Sequence, residues 1–522
     1  MAGTEPLKSI VIVGGGSAGW LSACYLQRAL GDHVAITLIE SSTILPVGVG
    51  ESTLPTLGPT MAFLGFDEAD WMPAVGATYK AAIRFRDWTY DAGSERKPEF
   101  FHPFIGRPEP RAMPFERPYL PQVEPGLSII HYALRDRQSG MTDNLAERLT
   151  PGPELVRRCL SPRQFGEAEP AVSYGYHVDA GLLGGFLRDE AKHRGVRHIV
   201  DDVVDVVMSD PDRISHLLTK QGEALHADLF IDCSGFRGLL LNKALQAPFE
   251  SFGQHLLCDA AVAMGMPSDT AIEPCTTSHA LSAGWSWNVP LFHRRGAGYV
   301  YSSRFASPEE AEAELRTFLG APADAPARHL RMRVGHTPEA WRGNCVGIGL
   351  SAGFIEPLEA TGIFLVEYGL ACLIKLLPNR EATQARRRAY NKLMGQIFSD
   401  ILDFVVLHYH GSHREDTPFW RAARSDDTLT ESLADKLEFF EEGLPVLDAW
   451  SVQPFLANSY AFVMDGLDRL PRSGHPLLEA IGYEAGQDVL TRLVAQRDAL
   501  VEALPDHRAY LTELYGDRRP AG

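Results

Sequence analysis

The apolar positions change period several times along the chain, and each change marks an element. Ser9-Ile-Val-Ile-Val13 is apolar at nearly every position, as in a strand covered on both faces. It runs into Gly14-Gly15-Gly16-Ser17-Ala18-Gly19, after which apolar residues recur at helical spacing through Leu21, Cys24, Tyr25, Leu26 and Ala29. A second apolar run, Val34 to Ile39, ends at Glu40 and completes a strand–helix–strand unit. A second glycine-rich turn follows, Val47-Gly48-Val49-Gly50-Glu51. From Ala77 to Asp87 the pattern alternates: Tyr79, Ala81, Ile83 and Phe85 lie on one face, Lys80, Ala82 and Arg84 on the other. That predicts a half-buried strand. Residues 97–125 are rich in proline and aromatics and predict an irregular but ordered excursion over the body.

Strand and helix signals return over 170–240. Tyr176 to Asp179 leads into a helix. Val203–Val207 and Ala227–Asp232 read as strands, the latter stopping at Cys233-Ser-Gly235. A further strand, Cys345–Leu350, precedes Ser351–Gly362 and a long apolar helix from Thr361 to about Leu377. Beyond about 380 the pattern is mostly helical. No internal repeat, low-complexity tract or flexible linker interrupts the chain. The expected fold is α/β: a Rossmann-like dinucleotide-binding body, a β-sheet substrate part and a helical C-terminal region. Residues 1–378 are expected to form the body, with dinucleotide-binding segments 9–55, 200–240 and 340–365 interleaved with substrate segments 75–190 and 250–335. Residues 379–522 are the helical region, packed with the body as one unit.

Composition narrows the function classes. Of 522 residues, 45% are apolar and 22% charged, a globular balance. Lys and Arg number 49 against 67 Asp and Glu, a net charge of −18, so neither a nucleic-acid partner nor an anionic membrane surface is expected. No apolar run reaches membrane-spanning length, and the early glycine motif leaves no room for a signal peptide. Seven cysteines, with no Cys-x-x-Cys pair, read as reduced thiols in a cytoplasmic protein.

Gly14-x-Gly16-x-x-Gly19 follows a strand and opens a helix. Glycines there permit a tight turn and close approach of a pyrophosphate, whose charge the helix N-terminus favours. Glu40 is placed to accept from a ribose 2′-hydroxyl and would repel a 2′-phosphate, so FAD or NAD is expected over NADP. The segments ending at Asp232-Cys-Ser-Gly235 and at Gly349 resemble those that complete an FAD site in two-domain flavoproteins, which favours FAD.

Four segments together resemble the flavin-dependent tryptophan halogenases. They are Gly14-Gly-Gly-Ser-Ala-Gly-Trp20, Gly76-Ala-Thr-Tyr-Lys80-Ala-Ala-Ile-Arg-Phe85, Trp285-Ser-Trp287-Asn-Val-Pro290, and Phe354-Ile-Glu-Pro-Leu-Glu359-Ala-Thr-Gly-Ile363. The third fits the family signature W-x-W-x-[IV]-P, whose family role is to keep the flavin from acting as a monooxygenase. The resemblance covers nearly the whole chain. It implies an enzyme that uses FADH2, O2 and chloride or bromide to form hypohalous acid and halogenate an electron-rich ring. Lys80 would hold or carry the halogen, by hydrogen bond or as a haloamine. Glu359 would stabilise the cationic ring and take its proton. Thr361 and Gly362, at a helix start, would bind halide. Gly14, Gly15, Gly16, Ala18, Gly19, Glu40, Gly48, Val49, Gly50, Glu51, Leu350 and Ile363 would line the flavin. Taken singly, Lys80 reads as a solvated strand lysine, Glu359 as a helix N-terminal acid, and Trp285 with Trp287 as one core face of a strand. Their conjunction carries the functional reading. One departure is Ala360, where the family usually has serine; a hydroxyl that would point toward the lysine is missing.

His102 and Phe104 match the family's first aromatic wall around the substrate, and Phe455 falls where its tryptophan would be. Between Gly443 and Tyr460 the chain is short, with no Tyr-Tyr pair and no Glu. Those residues grip the amino and carboxylate groups of free tryptophan, and unpaired charge is costly to bury. The expected substrate is therefore indole, a substituted or larger indole, or another electron-rich arene, with Trp450 or residues 106–125 as other sources of such contacts. Free tryptophan, FAD-dependent aromatic hydroxylation and a dead flavin-binding protein are the alternatives. A hydroxylase would carry Gly-Asp where Gly349-Leu350 stands. His408, His410 and His413 lack neighbours that would complete a metal site, and none is expected. No second nucleotide motif is present, so FADH2 would come by diffusion from a separate reductase; a homodimer is compatible with all of this.

Overall fold

The computed structural model describes residues 5–43, 50–89, 99–105, 122–123, 127–443 and 454–518. Gly48, Val49, Trp450 and most of the proline-rich stretch lie outside the described residues.

Strand Ser9–Val13 sits in the middle of a six-stranded sheet, flanked by Ala35–Glu40 and Leu229–Asp232, with Arg197–Val200 beyond one and Cys345–Gly347 beyond the other. These pairings are parallel; only the edge strand Trp341–Arg342 runs antiparallel. The unbroken apolar run of Ser9–Val13 follows from burial on both faces. Ile10 and Ile12 join the main core, whereas Val11 and Val13 pack with Ile214, Leu217 and Leu225 of a three-stranded antiparallel meander. Helices Ser17–Leu30, Ala180–His193 and Gly362–Lys375 cover the main-core face. The fold is α/β as expected, and strands from three separated segments, within 9–40, 229–232 and 345–347, meet on one sheet.

A second, seven-stranded sheet runs Ala327–Arg331, Ala260–Pro267, Arg294–Tyr301, Gly284–Pro290, Cys275–Leu281, Ala82–Arg86, Glu99–Pro103. A small third sheet joins Gly50–Ser52, Gly175–Asp179 and Thr78–Lys80. Among the described residues no strand follows Phe354, and helices make up the C-terminal part. No helix among them is long and apolar enough to cross a membrane.

The half-buried strand expected over 77–87 requires correction. It is two strands, Thr78–Lys80 and Ala82–Arg86, in different sheets, and both faces are buried from Thr78 to Phe85, Arg86 alone being half-exposed. Ala81 is the crossing point; its N–H donates to Pro274 O at 2.7 Å. The polar face escapes solvent because its charges find partners: Arg84 donates to Glu273 at 2.6 Å and to Thr277. The strand expected over Cys345–Leu350 is also shorter, ending at Gly347 before a 3-10 turn over Gly349–Ser351, where Gly349 has φ +71°.

Candidate active site

The flavin-side geometry follows from the first glycine turn. Gly14 has φ +118°, and a Cβ there would lie 2.2 Å from Cys233 O. At Gly15 a Cβ would collide with the Glu40 carboxylate. At Gly16 it would meet nothing within 4 Å, so no protein atom accounts for that glycine. The open side lies over the N-terminus of Ser17–Leu30, for which Gly16 is the cap residue without a side-chain bond of its own. Free amides and open space at a helix start fit a pyrophosphate. Glu40 ends the adjacent strand, with Oε1 2.8 Å from His198 Nε2. The turn holding Leu350 approaches Ala18, and Ile363 is buried at the start of Gly362–Lys375. Gly50 packs toward Val289 of the double-tryptophan strand. The neighbouring Glu51 carboxyl is pushed up to about 7 by burial and by the charge of Asp179. The residues present fit an FAD-type dinucleotide.

Lys80 is fully buried. Its Nζ donates to Thr53 O at 3.2 Å and stands 4.9 Å from the centroid of the Phe104 ring. Burial pulls the ammonium down to about 7, against the opposing pull of the Glu359 charge. Glu359 is itself fully buried, at the end of the 3-10 turn Pro357–Glu359. Ala360 follows at φ +60°, a left-handed conformation uncommon for alanine, and reverses the chain into helix Gly362–Lys375. The Glu359 carboxylate stands between two imidazoles: Oε2 is 2.8 Å from His102 Nδ1, and Oε1 is 2.9 Å from His408 Nε2. Burial alone would raise this carboxyl; His102 and His408 outweigh it and hold the group at about 2. The site thus keeps a carboxylate ionised in an apolar interior, within electrostatic reach of a lysine whose charged form burial disfavours.

Thr361 and Gly362 begin the 14-residue helix, and the Thr361 hydroxyl is buried with no hydrogen-bond partner. A Cβ on Gly362 would meet open space. Unused donors at a helix N-terminus suit a small anion.

The signature strand supports this loop from behind. Trp285 Nε1 donates to Glu356 at 3.1 Å, and the Tyr409 hydroxyl donates to the same carboxylate oxygen. Burial pushes the Glu356 carboxyl up to about 7, against the hydrogen bonds from Tyr409 and Trp285. Trp287 lies across the strand from Gly298, whose missing Cβ would be 2.0 Å from the indole ring. Pro290 O accepts from Thr78 Oγ1 at 2.5 Å. From Thr78 a buried polar chain continues through His177 and Thr276 to Ser52. The lysine strand, the signature strand and the second glycine turn are therefore tied together.

His102, expected in the aromatic wall around the substrate, also meets Glu359 through its Nδ1. The Phe455 ring stacks on Phe404 at 4.1 Å and lies 5.9 Å from His102. His408 was set aside as a failed metal ligand and instead meets Glu359. The signal for it was a histidine on an apolar helix face, with Ile401, Phe404 and Val405 as its neighbours, where a buried ring needs polar partners. His413 bonds Leu467 O at 2.7 Å, and among the described residues no cluster of His, Cys, Asp and Glu gathers to hold a metal. Glu356 and Tyr409 were not anticipated.

Residues 9–483 match the tryptophan halogenase family model. The chain is 39% identical to a 7-chloro-L-tryptophan 6-halogenase, KtzR, of Kutzneria sp. (strain 744), over 97% of this chain and 99% of the relative. It superposes on the crystal structure of a tryptophan 6-halogenase, SttH, of Streptomyces toxytricini with a TM-score of 0.88 at 36% identity, covering 97% of this chain and 99% of that one. A flavin-dependent halogenase, BrvH, of Brevundimonas sp. BAL3 matches with a TM-score of 0.86 at 33% identity, covering 98% and 99%. Fold, glycine turns and sequence agree along nearly the full length: the chain belongs to the tryptophan halogenase family of flavin-dependent enzymes.

Proposed function

We propose that this chain is an FADH2-dependent halogenase of an electron-rich aromatic ring, with Lys80 and Glu359 as its catalytic pair. The observation that carries the reading is the caged Glu359 carboxylate beside the buried Lys80. Bound as FADH2 and met by O2, the flavin supplies the two-electron oxidation that makes a halide electrophilic. Thr361 and Gly362 hold chloride or bromide at the helix start. Lys80, with its ammonium drawn down to about 7, presents both an N–H donor and a nucleophilic amine near neutral pH, so it suits either way of holding the halogen. Halogen attack makes the ring cationic. Glu359 stabilises that charge and takes the ring proton, restoring aromaticity with halogen in place of hydrogen. FADH2 arrives by diffusion from a separate reductase in the cytoplasm.

Product mass tests this. Lys80→Ala is expected to abolish halogen incorporation while FADH2 oxidation continues; surviving halogenation removes the lysine from its role, and oxygen incorporation by the wild type would make the enzyme a hydroxylase.

For the substrate, the missing Tyr-Tyr pair and Glu between Gly443 and Tyr460 favour an indole without free amino-acid groups. The names of the relatives, tryptophan 6- and 7-halogenases, favour free tryptophan as the second reading. Assays of tryptophan, indole and larger indoles with each halide separate them. Efficient conversion of tryptophan alone would sink the first.

A further inference from the structure

We propose that His408 is a positioning residue for Glu359: with His102 on the opposite oxygen, it clamps the carboxylate in orientation and charge. This rests on the reading of Lys80 and Glu359 given above.

His408 sits on helix Gln384–Gly411, one turn beyond Phe404, and is fully buried. Its Nδ1 lies 2.7 Å from Phe404 O. A carbonyl only accepts, so Nδ1 carries a hydrogen and the ring is pinned by its own helix. That pinning turns Nε2 toward Glu359 Oε1 at 2.9 Å, an ion pair when the ring carries its second proton, and neither atom has a hydrogen-bond partner elsewhere among the described residues. Aromatic rings fix the imidazole plane: Phe85 with centroids 4.8 Å away and Phe404 at 5.1 Å, edge-on. The titratable groups facing Glu359 are His102 from strand Glu99–Pro103, His408 from the long helix, and Lys80 from strand Thr78–Lys80. Glu356, in the same loop, turns to Trp285 and Tyr409 instead. Glu359 follows a short turn and precedes a strained left-handed residue, so its own backbone offers little anchorage. Two rings on rigid elements hold its oxygens in place, and an unclamped carboxylate here would carry a buried, unpaired charge.

Two substitutions separate clamping from packing. In His408→Asn the amide keeps a donor for Phe404 O but no longer reaches Glu359. In His408→Gln an N–H stands near the original Nε2 position. For His408→Asn, kcat for halogenation is expected to fall about 10-fold or more, with KM for the arene little changed. The acid limb of the pH–rate profile should rise by about one unit, as the carboxylate loses a partner of its charged form. His408→Gln should recover most of kcat, and FADH2 oxidation should persist in both. A wild-type kcat and unmoved acid limb in His408→Asn overturn the proposal. So does equal impairment of both variants with an unmoved acid limb, which would leave His408 a packing role alone. Glu359→Gln that still halogenates would overturn the underlying reading instead. If His408→Asn does not fold, 15N-histidine NMR of the wild type and of Glu359→Gln decides. Displacement of the His408 Nε2 resonance by Glu359→Gln supports the clamp, and an unmoved resonance overturns it.

Discussion

Lys80 and Glu359 illustrate opposite treatments of a buried charge. The carboxylate has two imidazole neighbours and stays ionised; the lysine has one carbonyl and an aromatic face, and its charged form is disfavoured. A folded-state value of about 7 against 10.5 for a free lysine means that folding disfavours the bound proton. The resulting penalty is fully present below about pH 7, fades as pH rises to 10.5 and is absent above that. Lys80→Met should therefore stabilise the protein by about 1 kcal/mol or more at pH 6. The gain should shrink as pH rises and vanish above the free-lysine value, as read by urea unfolding at several pH values. Both residues were legible in the chain only because neighbouring residues formed known motifs. His408 was not, since its partner lies 49 positions upstream and local spacing reports only other histidines.

At the scale of elements, periodicity located the strand around Lys80 but misjudged its surroundings. Alternation reports two chemically different faces; it does not report whether the polar face meets water or the paired interior of another sheet. The break at Ala81 was illegible for the same reason, because alanine continues the pattern while the chain passes between sheets. The glycine turn was more transparent, since its spacing encodes a local geometry that needs no distant partner. Gly298 shows the contrary case: its requirement comes from Trp287 on the neighbouring strand. Gly298→Ala is expected to cost about 1–3 kcal/mol through overpacking. A lower midpoint in urea and altered tryptophan fluorescence would register the displaced Trp287; unchanged values of both would contradict the contact.

Across the whole molecule, the flavin sheet joins Ser9–Val13 to Leu229–Asp232 and, through it, to Cys345–Gly347. The lysine strand is backed by the end of the chain, where Tyr79 N donates to His507 Nε2 at 3.3 Å and the Tyr515 hydroxyl donates to the carbonyls of Met72 and Ala77. Tyr515→Phe should cost about 1–2 kcal/mol in urea unfolding while leaving FADH2 oxidation close to wild type. Composition and periodicity could announce a helical C-terminal region but not where it docks. That docking also fixes an order of events during synthesis. Nearly 350 residues must emerge from the ribosome before the central sheet can gain Cys345–Gly347, and the wall behind Lys80 closes only when His507–Tyr515 follows. A nascent chain therefore completes the surroundings of Lys80 only once the last described helix has been made.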